Sequence, residues 1–160
     1  MAATLHDLFI TWGSFYANHP LTRTMITFAH IGGLVLAGGA AMTADRGLLL
    51  AARRSTEDRR GQLAATRSTH GFVLWGLVLV TISGLLLFAA DVDTFWASRV
   101  FWIKIGLILL LVVNGATLMR SERRASAGVA SAWQTLRWTA GASLLLWMLT
   151  TLAGAALLNL

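Results

Sequence analysis

Cysteine is absent from the 160-residue chain, proline occurs once, at Pro20, and lysine occurs once, at Lys104. The lack of cysteine excludes disulfides, iron–sulfur clusters and thiolate zinc sites. A Walker loop, an HExxH motif and a GxSxG motif are also missing, which excludes the familiar signatures of nucleotide, metalloprotease and serine hydrolase chemistry. Charged residues make up 12% of the chain, whereas hydrophobic residues make up 56%.

Charge is nearly missing from four long stretches, at about residues 24–44, 69–90, 100–119 and 138–160. Each has roughly the 20 residues that an α-helix needs to cross a ~30 Å hydrocarbon core. A spanning segment must satisfy its own backbone hydrogen bonds, which favours helices. The sequence therefore predicts an all-α integral membrane protein, a four-helix bundle in contact with the lipid bilayer, as one domain over residues 1–160.

The net charge of +6 does not indicate nucleic acid binding, because the arginines flank the apolar stretches. Regions 46–68 and 120–137 contain ten of the twelve arginines, and the other two are Arg23 and Arg99. Positively charged loops are retained in the cytoplasm. We therefore predict a multi-pass protein of the bacterial inner membrane, with cytoplasmic loops at 46–68 and 120–137 and both termini in the periplasm.

Residues 4–17 are too short and too polar to span the bilayer, and their aromatic and leucine residues recur at helical spacing. This pattern predicts a short amphipathic helix that lies at the membrane surface, on the same outer side as the termini. Pro20 is expected to end this helix or to open the next one.

Two ionisable residues fall inside apolar stretches at similar depth. His30 follows Arg23 by seven residues, about 10 Å of helix, and Lys104 follows Arg99 by five residues, about 7–8 Å. Ionisable groups inside a membrane usually face the bundle interior and mark function. Neutral imidazole is a frequent ligand of haem iron and of copper, so His30 is a candidate metal ligand; alternatively it is a core histidine bonded to a backbone carbonyl or to Ser83. Lys104 is a candidate partner; alternatively its side chain reaches the interface as an anchor.

Small residues accompany this pair. Gly33 lies one turn after His30, and Ser83 and Gly84 are expected at about the same depth in the second stretch. They make room either for a flat cofactor or for close helix packing. A second polar cluster is expected near the arginine-rich loops, from Asp45, Arg46 and His70, with Asn114 deeper in the third stretch; its alternative role is to hold helix ends together.

Two segments carry a resemblance. Residues 30–50, HIGGLVLAGGAAMTADRGLLL, and residues 81–115, TISGLLLFAADVDTFWASRVFWIKIGLILLLVVNG, resemble an uncharacterised bacterial family of four-helix membrane proteins. More distantly, residues 24–124 are similar to the copper-resistance D (CopD) membrane domain and to HemJ-type protoporphyrinogen oxidase. The latter resemblance implies haem b held by a first-span histidine and a third-span lysine, which match His30 and Lys104. HemJ-type enzymes carry a further histidine where this chain has Asn114.

The function predicted from these observations is haem b binding in membrane electron transfer, as a subunit of a larger membrane complex or as a homo-oligomer. His30, Lys104, Gly33, Ser83 and Gly84 would form the cofactor site, with quinone or a periplasmic redox protein as partner. The alternatives are a copper or small-molecule permease and a structural subunit that packs against a larger complex.

Overall fold

The structure, a computed structural model, describes residues 4–159, and all its regular elements are helices. They are α1 (Leu5–Asn18), α2 (Pro20–Ala51), α3 (Thr56–Ala90), α4 (Val92–Ala97), α5 (Arg99–Ser126) and α6 (Ala132–Ala156), followed by a 3₁₀ turn (Leu157–Asn159). The all-α class predicted from the sequence is confirmed for this part of the chain.

Helices α2, α3, α5 and α6 are each long and apolar enough to cross a membrane. Large apolar side chains point outward along them, for example Val35, Trp75 and Leu109, which are 68%, 73% and 61% exposed. A water-soluble bundle would bury such side chains, whereas lipid tails solvate them. The predicted multi-pass membrane protein is therefore supported by both the length and the surface of these helices.

The four long helices are arranged as two hairpins. Helix α2 packs along α3 and α5 packs along α6, and the hairpins meet where α2 lies against α6. Helices α3 and α5 share far less of their length. They are linked near one end by the stacked rings of Phe88 and Phe101, whose centroids are 5.2 Å apart, and near the other by Arg67, which donates to Ser126 Oγ at 3.0 Å.

The turns between the long helices are short. Pro20 opens α2 at its first turn, one of the two roles predicted for it. Helix α5 ends at Ser126, Gly128 two residues later has a φ of 86°, and the Val129 amide donates back to the Arg124 carbonyl at 3.1 Å. Glycine suits this left-handed position because it has no Cβ. Most of the two arginine-rich regions is thus helical, with turns at 52–55 and 127–131.

The most tightly packed core lies at the end of the bundle that carries these two turns, here called the arginine-rich end. All four long helices contribute to it, through Leu48, Leu63, Leu118 and Leu136. Leu48 and Leu136 are at most 1% exposed. The opposite end, which carries α4, is here called the α4 end.

Helix α1 packs against the α4 end of α3. The Trp12 indole Nε1 donates to the Leu86 carbonyl at 2.9 Å, and Gly13 passes close to the Ala90 carbonyl. None of its residues is fully buried. The predicted helix is present, and its location in the membrane interface stays a prediction.

Candidate functional site

His30 lies on α2 and is half-buried, with its ring turned towards α3. Its Nδ1 is 3.1 Å from Ser83 Oγ. The Ser83 hydroxyl donates towards its own helix, where the Leu79 and Val80 carbonyl oxygens lie 2.6 and 3.2 Å from Ser83 Oγ. In the tautomer of His30 with the ring proton on Nδ1, Ser83 Oγ accepts from His30 and the Nε2 atom keeps its lone pair.

Gly84 makes room for the His30 ring. A Cβ atom at Gly84 would lie 3.2 Å from His30 Cε1, closer than an ordinary van der Waals contact. A side chain at this position would push the imidazole away from Ser83. Ser83 and Gly84 are therefore neighbours in sequence with two tasks: one orients the ring and the other leaves space for it.

Lys104 reaches the same level of the bundle from α5. Its Nζ would be 3.4 Å from a Cβ atom at Gly154 of α6, an ordinary van der Waals contact, so the amine packs against Gly154. The charge of Lys104 is close enough to act on His30. The structure places His30, Ser83, Gly84 and Lys104 at one level of the bundle, and Gly154 of α6 completes the set; their role in binding a cofactor stays a prediction.

Gly33 has a different place. A Cβ atom there would lie 2.9 Å from Val80 Cγ2 and 3.0 Å from the Gly76 carbonyl oxygen. Gly76 in turn approaches the backbone of Ala37. Gly33 therefore serves the close contact of α2 with α3, which is the packing alternative for small residues, and the structure does not place it against the Lys104 amine.

The second polar cluster forms with a different membership. Asp45 is buried and exerts its charge on Glu122, whose Oε2 is 3.4 Å from His70 Nε2. Arg46 is exposed, and Asn114 donates from Nδ2 to the Thr139 carbonyl at 2.9 Å, where it ties α5 to α6.

Glu122 is the residue that sequence reasoning missed. It is 1% exposed, although it stands among Arg120, Arg123 and Arg124 and reads as part of a polar loop. The sequence pattern that could have identified it is helical spacing. Glu122 lies four residues after Leu118 and three before Ala125, both of which are buried. This continuation of the α5 inner face beyond the apolar stretch indicated that the helix extends past Met119.

Comparison with models of protein families, with characterised proteins and with solved structures finds no match to this chain. The resemblances drawn from residues 30–50 and 81–115 stay predictions. Within residues 4–159, no three His, Asp or Glu side chains come together in a way that could hold a metal ion.

Proposed function

We propose that this protein binds haem b in the bacterial inner membrane and serves electron transfer as a subunit of a larger membrane complex. His30 would hold the haem iron through Nε2. The observation that carries the proposal is the contact of His30 Nδ1 with Ser83 Oγ at 3.1 Å, because it orients the ring and, in the tautomer with the proton on Nδ1, leaves Nε2 unprotonated. A ligand histidine in proteins typically donates its other ring N–H in this way.

The residues around His30 fit such a group in their chemistry. His30 is half-buried within an apolar stretch of α2, which suits a largely apolar macrocycle. Lys104 supplies an amine near His30, either as a second ligand when neutral or as an ammonium partner for a propionate. Haem, when bound, supplies a one-electron redox couple at its iron. The protein's own tasks are to hold the imidazole, to place the amine and to exclude water.

The sparse contact of α3 with α5 suits access from the bilayer. A lipid-soluble redox partner such as a quinone would approach on that side, between helices that share little of their length.

The first test is the absorption spectrum of the purified protein. We expect a Soret band in the wild type. His30→Ala should abolish or strongly shift it, because the axial ligand is lost. His70→Ala is the matched control, since His70 lies near the arginine-rich end and should leave the spectrum nearly unchanged. A colourless wild-type protein after expression with adequate haem supply, or a spectrum that survives His30→Ala, would refute the proposal.

A further inference from the structure

Two carboxyl groups are buried at the arginine-rich end of the bundle. Asp45 of α2 is 3% exposed and Glu122 of α5 is 1% exposed. Among the residues that the structure describes, Asp45 Oδ2 and Glu122 Oε1 have no hydrogen-bond partner. An ionised carboxylate without partners is expensive in an apolar environment, and buried acids in membrane helices are usually retained for function.

Among the basic groups around this pair, one makes a direct contact. His70 Nε2 of α3 lies 3.4 Å from Glu122 Oε2, and it is the one ion-pair partner that Glu122 has within residues 4–159. Arg67 of α3 acts on Glu122 only from a distance, and its guanidinium donates to Ser126 instead. Arg123, on α5 itself, is exposed, and from α6 the Ser143 hydroxyl faces Asp45. Two adjacent negative charges repel one another strongly where water is excluded, so a proton on one of them relieves the repulsion.

Water reaches this group through a cavity of about 230 Å³. It is lined by Arg67, His70, Met119, Glu122 and Arg123. A water molecule in the liquid occupies about 30 Å³, so the cavity has room for several. His70 and Glu122 both line this cavity, and His70 Nε2 is 3.4 Å from Glu122 Oε2, so the ring can relay a proton to that oxygen.

We propose that Glu122 and Asp45 form a proton-binding site that is loaded through His70 from the cavity at the arginine-rich end. A hydronium ion in the cavity gives its proton to His70 Nδ1 and becomes water. The Nε2–H bond of His70 breaks and an O–H bond forms at Glu122 Oε2. The ring is left neutral, the carboxyl group holds the proton, and no electron is transferred.

This site is independent of the proposed haem function. Asp45 follows His30 by fifteen residues of α2, about 22 Å of helix. A protein without haem can still bind a proton here, and a protein with haem can lack the proton site. The two proposals therefore fail separately.

Infrared difference spectroscopy of the full chain in a detergent without ester groups tests the proposal, because the C=O stretching band of a protonated carboxyl group is then separate from the carboxylate and amide bands. We expect such a band in the wild type, with an intensity that changes between about pH 5 and pH 8. Glu122→Gln, which keeps the shape of the side chain, should remove the band. Asp45→Asn should shift it, because it removes the neighbouring charge. Glu57→Gln is the control, since Glu57 is exposed at the start of α3.

The role of His70 as the entry route is tested by the rate at which the carboxyl band shifts after transfer into D₂O. His70→Phe should slow that shift at least about tenfold if the ring is the entry route. An equal rate in this variant overturns the route through His70. A wild type without a protonated carboxyl band over this pH range, or a band that persists unchanged in Glu122→Gln, overturns the site itself.

Discussion

The lone lysine gains a physical reason from its neighbour on α6. Lys104 Nζ lies beside Gly154, where a Cβ atom would be in ordinary van der Waals contact at 3.4 Å. An anchor that reached for the membrane surface would leave this contact. The contact matches an amine that is held inside the bundle beside His30.

Lys104→Arg should therefore weaken haem binding, and so perturb the haem spectrum, about as much as Lys104→Met. Guanidinium is bulkier than ammonium, stays protonated and cannot offer a lone pair to iron. Loss of a hydrogen bond to a charged group predicts about ten- to hundredfold weaker haem binding. The measurement is a haem titration of each variant at equal membrane level.

Leucine is run beside methionine as a control, because methionine itself can ligate haem. If arginine binds haem as the wild type does while methionine and leucine fail, only the positive charge matters. If all three bind as the wild type does, Lys104 has no part in the site and acts as an interface anchor.

Some site residues could be recognised from the sequence and others could not, for a physical reason. His30 and Lys104 stood out in the sequence because a polar group within an apolar stretch is conspicuous. Glu122 stood among arginines, where a carboxylate is ordinary, and it is buried at the end of the bundle whose core contains Leu48, Leu63 and Leu136 of three other helices. Tertiary packing of this kind has no local signature. A hydrogen bond of His30 to Ser83 was one alternative that the sequence left open, as the bond of a core histidine, and its geometry depends on the rotation of α3.

Among the elements, the α2–α3 hairpin has the closest backbone contact, built on small residues. A Cβ atom at Gly76 would lie 2.6 Å from the Ala37 amide nitrogen, which is backbone and cannot turn aside. Gly71, also on α3, has nothing within 4 Å of its Cβ position. Small residues at such contacts let membrane helices pack closely, since lipid provides no hydrophobic drive between them.

Gly76→Ala should destabilise the protein, because α2 and α3 must separate to admit the methyl group. Overpacking of this kind costs about 1–3 kcal/mol of the free energy of unfolding. Gly71→Ala should be neutral or stabilising, because alanine favours helix over glycine by up to about 1 kcal/mol. Unfolding of both variants in mixed micelles, followed by circular dichroism, measures the difference. Equal stability of the two would contradict the role assigned to this contact.

Hydropathy predicted the four long helices well and their ends poorly. The apolar stretches end near residues 44 and 119, yet α2 continues to Ala51 and α5 to Ser126. Hydropathy detects the part of a helix that contacts lipid, and a helix that leaves the bilayer becomes amphipathic without ending. Helix α4 was not predicted from the sequence, because six residues are too few to show a periodic pattern.

For the whole molecule, the orientation in the membrane follows from charge. Ten of twelve arginines lie at the arginine-rich end, and that end is predicted to be cytoplasmic. A phosphatase reporter fused after Leu160 should therefore be active in the periplasm, and a fusion in the turn at residues 127–131 should be inactive. The opposite pattern of reporter activity would show that the protein has the inverse orientation, with the cavity beside His70 on the periplasmic side.

The contact of α2 with α6 has a consequence for biogenesis. A Cβ atom at Gly38 of α2 would lie 3.2 Å from the ring of Trp147, so the first spanning helix is covered by the last. Translation runs from the N-terminus, and the α2–α3 hairpin therefore enters the bilayer while α6 is still unmade. Until Trp147 emerges, lipid must cover the groove at Gly38. A ribosome that stalls within α6 would leave an inserted hairpin with this groove open, a distinct substrate for membrane quality control.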